Sequence, residues 1–245
     1  SSRRRHTRYG TVTGVQTCAL PIYEQVLDDT DRYGIELALQ LKEKYDAEVT
    51  IISMGPKGTL KGVQQALQMG ADKALVISDE SLSGANALIT ANVISEVAKL
   101  SEADLIIFGT ESTDGYSGTV PQQVSRFLNL DCISYVKAVE INSEKVILTR
   151  QTLEGSEKVD MPNKCVISVT AGGVEPRYPN FKDIMAAKSK PIEEVNINDL
   201  NITAQQNLKF LEIEDVENSK NGQKIIDEGE AYNSIIEKLK ELKII

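Results

Sequence analysis

Short β-branched runs that alternate with amphipathic stretches constrain this chain more than any other feature. Val49–Ser53, Lys73–Ile77 and Asp104–Phe108 are brief, apolar and bounded by turn or polar residues, which predicts buried strands. Between them the spacing of apolar residues predicts helices. Asp28 to Asp31 supply N-cap candidates for a helix over Arg32–Tyr45, with Ile35, Leu39 and Leu41 as its apolar residues. A second helix passes through Val63, Ala66 and Leu67 and stops at Gly70, and a third covers Asn86–Lys99. Strands separated by helices of this length build βαβ units. The fold class is therefore α/β, a doubly wound, mostly parallel sheet. In such sheets ligands sit outside the carboxyl ends of the strands.

The segment after Phe108 lies at such an end. Leu105 to Phe108 is apolar and Gly109 breaks the strand. The loop then runs through Asp114, Gly115, Tyr116, Ser117 and Gly118 into a helix start at Thr119 to Gln123. Glycines let a backbone approach a phosphate, and N–H groups at a helix start point at it with a favourable dipole. Pro121 suits the first helical turn, where its missing N–H costs nothing. The pattern predicts a nucleotide site. An ordinary strand-to-helix turn carries the same glycines, so the loop alone leaves both readings open.

Composition removes several classes. With 27 Lys and Arg against 36 Asp and Glu, a net charge of −9, the chain does not suit nucleic acid as a partner. No apolar run approaches the roughly 18 residues of a membrane span, so no direct membrane insertion is expected. One histidine, His6, argues against a His-based triad or metal site, and no catalytic or metal-ligating set is expected. Cys18, Cys132 and Cys165 are far apart without CxxC spacing and read as reduced thiols of a cytoplasmic chain. Ser1–Ile22 stands apart. It holds four arginines and no acid, leaving 23 basic against 36 acidic residues, a net of −13, in the remainder. Thr11–Ile22 looks like a translated sequencing adapter joined to a truncated gene rather than a targeting arm. Residues 1–22 are therefore expected to be non-native and to pack poorly, leaving the sheet without its opening strand.

Beyond Asp131 the rhythm changes. Ile133–Ile141, Lys145–Gln151 and Cys165–Thr170 are strand-like, Asn142-Ser143 supplies a hairpin turn, and Gln151–Asp160 reads as a further strand with a Gly155 turn. This β-rich extension is expected to return to one edge of the sheet. Gly172–Lys190 follows, where Pro176 and Pro179 flank Arg177 and Tyr178 and a short helix carries Phe181, Ile184 and Met185. A large apolar side chain on such a loop either docks a partner or caps its own core. In the C-terminal tail, Ala231–Leu242 predicts a helix with Ile235, Ile236 and Leu239 on one face.

Glu175-Pro-Arg-Tyr178 followed by Asn180-Phe-Lys-Asp-Ile-Met-Ala-Ala-Lys188 closely resembles the signature of the β subunit of electron transfer flavoproteins. Leu41-Lys-Glu-Lys44, Ser53-Met-Gly-Pro56, Ala66-Leu-Gln-Met-Gly-Ala-Asp72 and the Asp114 loop fit the same family in the same order. The resemblance covers about Arg32 to Ile202 and thins beyond.

That resemblance implies an adenine-nucleotide-binding domain like that of universal stress proteins over residues 23–202, with a docking loop at 175–190. Residues 203–245 would be a tail packing on an α subunit. It implies a heterodimer in which FAD is held mainly by the α subunit and AMP, without redox chemistry, by this chain. Electrons would pass from acyl-CoA-type dehydrogenases of fatty acid oxidation to a membrane quinone oxidoreductase, so this chain is not itself an enzyme. By position, the AMP shell would comprise Asp28, Asp29, Thr30, Asp31 and Met54. It would continue through Asp114, Gly115, Tyr116, Ser117, Gly118 and Thr119, then Val120, Pro121, Gln122, Gln123, Val124 and Ser125. The docking loop maps to Pro179, Asn180, Phe181, Ile184 and Met185, with Phe181 as the apolar anchor that a transient electron-transfer contact needs. Three departures stand out: the replaced opening strand, Asp28-Asp-Thr-Asp31 in place of an Asn-Pro-aromatic run, and the thin basic cluster Lys188-Ser-Lys190. Two rivals share part of the pattern. A stand-alone universal-stress-like protein would match Gly118-Thr-Val120 but has no counterpart of Glu175–Lys188. An electron-bifurcating β subunit would place FAD in the AMP cleft.

Overall fold

A computed structural model describes residues 8–13, 26–55, 58, 60–112, 115–142, 145–203, 226–227 and 229–245, the first of these segments by its backbone. The chain divides into two units, residues 1–209 and 210–245.

In the first unit the described strands are β1 (Arg8–Thr13), β2 (Glu48–Met54), β3 (Lys73–Ile77), β4 (Leu105–Gly109) and β5 (Asp131–Ile141). They continue as β6 (Val146–Thr152), β7 (Gly155–Met161), β8 (Cys165–Val169) and β9 (Ile192–Val195). They form a single sheet in the order β7-β6-β5-β8-β4-β1-β2-β3-β9. Pairing is parallel from β5 across to β9, and antiparallel only in the β5-β6-β7 meander.

Helices α1 (Asp29–Tyr45) and α2 (Lys61–Met69) cover one face, while α3 (Ala87–Ser101) and α4 (Val120–Leu128) cover the other. Successive strand side chains serve opposite cores. Ile51, Ile107 and Ile167 pack with Ile35 and Leu67 under α1 and α2. Ile52, Ile106 and Val166 pack with Ile94 and Val97 under α3. Burial on both faces explains why these strands read as unbroken apolar runs rather than alternating ones. Local chemistry sets the helix ends. Asp28 accepts the Thr30 N–H at 2.8 Å, so α1 starts three residues before the predicted Arg32. Asn86 likewise caps α3 through the Ile89 N–H at 3.0 Å.

Two expectations are corrected. The sheet does have an opening strand, because the Arg8–Thr13 backbone lies between β2 and β4 in parallel register with both. Two neighbouring strands with unpaired N–H and C=O groups demand a partner in that slot, and Thr11, Val12 and Thr13 have the β-branching it favours. Nor does the β-rich extension keep to one edge. Only β5, β6 and β7 do so, whereas β8 inserts between β4 and β5, and β9 extends the opposite edge beside β3. Cys132 and Cys165, on neighbouring strands, have burial-raised thiol pKa values of about 11 and about 12, so both are poor nucleophiles. Cys18 lies outside the described residues.

A short helix α5 (Phe181–Ala187) precedes β9. In the second unit, α6 (Ala231–Glu241) matches the predicted tail helix, with Tyr232 and Ile235 exposed on it and Leu242 exposed at its C-cap. No helix among the described residues is long and apolar enough to cross a membrane.

Candidate functional site

The strand order places β2 and β3 on one side of β1 and β4 on the other. Such a switch point in the strand order opens a crevice at the carboxyl ends of the strands. The start of α1 and the loop after β4 meet there. Thr30 Oγ1 lies 2.8 Å from both Asp28 Oδ1 and the Glu111 carbonyl oxygen, so its hydroxyl ties the helix start to the loop. Thr110 Oγ1 donates to the Val169 carbonyl at 2.7 Å and fixes the loop to β8. Gly109 makes this closeness feasible, since a Cβ there would stand 2.8 Å from Thr30 Oγ1 and 3.1 Å from Asp31 Oδ1. A larger residue would displace the Thr30 side chain and its tie to the loop.

Asp31 lines the cleft on the α1 side, and Glu111, Ser112, Ser117, Gly118 and Pro121 on the loop side. Tyr116 and Gly118 have φ values of 44° and 60°, left-handed conformations that turn the loop back on itself. Thr119 precedes α4 and makes no side-chain cap bond, which leaves the first-turn N–H groups without that side-chain acceptor. Gln122 braces the loop. With its amide oriented so that both ends are satisfied, the nitrogen donates to the Gly118 and Thr119 carbonyls at 3.1 and 3.0 Å and the oxygen accepts from Ser134 Oγ at 2.8 Å. Ser134 sits at a bulge of β5, where Tyr135 takes φ 63°.

Of the residues singled out by sequence, Asp31, Ser117, Gly118, Val120 and Pro121 line this cleft. Asp28 and Thr30 brace its floor. Asp29 pairs with Arg32 at 3.4 Å at the surface. Gly115 and Tyr116 are exposed at the loop tip, and Asp114 lies outside the described residues. The side chains of the remaining residues lie elsewhere or bond within their own helix. The Met54 side chain is buried in the α3-side core, as is that of Val124. Ser125 Oγ donates to the Gln122 carbonyl at 2.8 Å, and Gln123 Nε2 contacts Thr119 Oγ1 at 3.3 Å. Thr110, Glu111 and Ser112 were missed. The glycine pattern drew the prediction beyond them, although a polar triplet directly after a buried strand was a usable signal.

The chemistry of the cleft is mixed, with the Glu111 carboxylate beside Gly118. Carboxylates of Asp31 and Glu111 repel a phosphate but accept hydroxyl or amine donors. Hydroxyl and amide donors of Ser117 to Val120, by contrast, suit an anion. A ligand that offers both hydroxyl or amine donors and an anionic group matches this mixture.

At the docking segment, Asn180 caps α5 by accepting the Asp183 N–H at 2.9 Å. Phe181, the first helical residue, is 78% exposed. It does not cap its own core. Tyr178 and Met185 are exposed beside it in sequence, Pro179 and Ile184 are half-buried, and Ala187 packs against the core.

Residues 23–200 match the family model of the electron transfer flavoprotein domain. The chain is similar to the electron transfer flavoprotein subunit beta of Mycobacterium bovis, 32% identical over 234 residues, covering 91% of this chain and 88% of the relative. It is similar to the subunit beta of Bacillus subtilis at 33% identity, covering 77% and 75%. A third relative is the caffeyl-CoA reductase-Etf complex subunit CarD of Acetobacterium woodii, 29% identical, covering 74% and 70%. A match over most of the chain, on a sheet whose switch point bears the predicted loop, identifies the chain as a member of the electron transfer flavoprotein family, akin to its β subunits.

Proposed function

We propose that this chain is the β subunit of a heterodimeric electron transfer flavoprotein that holds AMP as a structural nucleotide. Its partner α subunit carries most of the FAD contacts, and the complex moves electrons from acyl-CoA-type dehydrogenases to a quinone oxidoreductase. The observation that carries the nucleotide reading is the joining of Asp31, Glu111 and Ser117–Val120 around one cleft at the β1/β4 switch point. In this reading the N–H groups of the Gly118 loop and the α4 start hold the phosphate. The carboxylates of Asp31 and Glu111 accept hydrogen bonds from the ribose or adenine amine. The FAD supplies the redox chemistry, while this chain orients and excludes water. Docking of the dehydrogenase rests on Phe181, whose ring is presented to solvent at the start of α5.

The α subunit would cover the apolar side chains Tyr232 and Ile235 of α6 and Leu242 at its end, an area that water does not favour. A second reading places another flavin in the cleft instead of AMP, and the likeness to a subunit of a caffeyl-CoA reductase-Etf complex favours retaining it. Absorbance of the purified α/β complex, with extraction of its nucleotides, separates the two. One flavin and one AMP per heterodimer support the proposal, and two flavins without AMP overturn it in favour of the second reading.

A further inference from the structure

Arg177 immediately precedes the exposed docking segment and is held more tightly than any other residue of that loop. Its Nε donates to Glu36 Oε2 at 2.7 Å, its Nη2 to Glu36 Oε1 at 3.0 Å, and its backbone N–H to Glu36 Oε2 at 3.2 Å. The other arm of the guanidinium pairs with Glu43. Glu36 and Glu43 lie two turns apart on α1, and Glu36 is buried, with Gln40 Nε2 as a further donor at 3.0 Å. At the far end of the segment, Lys190 Nζ donates to the Leu67 carbonyl in the last turn of α2 at 2.9 Å. The stretch Tyr178–Ser189 is thus pinned at both ends to the α1/α2 layer.

Seven residues of helix are too few to be stable alone in water. Phe181 and Met185 face solvent, so they contribute little to holding α5 in place. Ile184 and Ala187 seat the inner side of α5 against the α2 layer, and the anchors at its ends fix how the chain enters and leaves it. We infer that Arg177 is a positioning residue that presents Phe181 and Met185 to the dehydrogenase by clamping the docking loop onto Glu36 and Glu43 of α1. This inference rests on the docking role proposed for Phe181. The fork geometry matters, because a lysine offers a point charge and cannot bond both oxygens of Glu36 while also reaching Glu43. If the patch is correctly oriented only part of the time, apparent affinity falls by that fraction, while electron transfer within the docked complex is unchanged.

The test uses the α/β complex as electron acceptor for an acyl-CoA dehydrogenase reduced by butyryl-CoA. Arg177→Lys, Glu43→Gln and Phe181→Ala are compared, alone and combined, for KM, kcat, flavin content and Tm. Arg177→Lys should raise KM by about five- to tenfold, and Glu43→Gln, which removes only an exposed pair, by about two- to fivefold, with kcat and flavin content unchanged. In the Phe181→Ala background neither should add further, because the clamp acts through that ring. Glu43→Gln touches only the exposed arm of the clamp and remains informative should Arg177→Lys fold poorly. Wild-type KM in Glu43→Gln and Arg177→Lys, alongside a raised KM in Phe181→Ala, would overturn the clamp and leave docking intact. Effects that add fully to that of Phe181→Ala would also overturn it. No effect of Phe181→Ala itself would remove the docking reading, and the clamp with it.

Discussion

Replacing Phe181 by alanine separates a docking ring from a packing ring. A phenylalanine side chain commits about 150–250 Å² when fully buried. At 78% exposure Phe181 buries only about a fifth of that, roughly 40 Å², against its own chain. At about 25 cal/mol per Å² the truncation forfeits roughly 1 kcal/mol of stability, which shifts Tm by about 2–4 °C in a chain of this size. Removing a core phenylalanine would instead cost about 3–5 kcal/mol. An aromatic hot spot lost from an interface costs about 2 kcal/mol or more, roughly a 30-fold weaker complex. The assay is reduction of the α/β complex by an acyl-CoA dehydrogenase over a range of complex concentrations, with flavin content, AMP content and Tm followed in parallel. The expected result is slow transfer at low concentration with cofactors retained and Tm nearly unchanged. A collapse of Tm, or wild-type transfer at every concentration, would refute the reasoning.

Other perturbations probe other parts. Gly118→Glu places a strained side chain at φ 60° beside Glu111 and brings a second acid to the anion end, so AMP should be lost while α-subunit binding persists in part. Normal nucleotide content in that variant would move the site elsewhere. Burial raises the pKa of Glu36, but hydrogen bonds from Arg177 and Gln40 outweigh it and hold the carboxyl below its ordinary 4.5. Its contribution to stability is therefore complete above pH 4.5 and lost as pH falls through the lower folded value, so Glu36→Gln should flatten that acid limb of the denaturation profile. An unchanged limb would contradict the ion pair. Thr11→Pro removes a ladder N–H from β1 and should lower Tm by several degrees, and an unaffected Tm would argue against a central strand there. Deleting Gly222–Ile245 should weaken heterodimer formation more than it lowers this chain's own Tm; an isolated chain that unfolds would assign the tail to the local core.

Much of this architecture was legible because its determinants are local. Ile51-Ile52 and Ile106-Ile107 announce strands buried on both faces, and Asn86 and Gly70 announce helix ends. The loop after Phe108 was legible for the same reason, as glycines and a proline punctuate it. What escaped was long-range. Nothing local in Arg8–Thr13 marks a central strand, since its arginine and glycine precede only three β-branched residues; the slot between β2 and β4 selects it. The destination of β8 depends on a crossover that only tertiary packing decides. Thr110 and Glu111 become cleft residues because Thr30, 81 positions from Glu111 along the chain, closes on the loop. Arg177 finds Glu36 across 141 positions, a pairing that no spacing rule reveals. Val124 and Ser125 turn inward for a local reason, helical periodicity one turn after the cleft.

The most direct measurement is the structure of the α/β complex purified with its own nucleotide. A phosphate within hydrogen-bond reach of the Ser117–Val120 backbone, with the ribose or adenine amine toward Asp31 and Glu111, is the predicted result. A nucleotide bound away from the β1/β4 switch point, or a cleft closed by protein side chains alone, would contradict it.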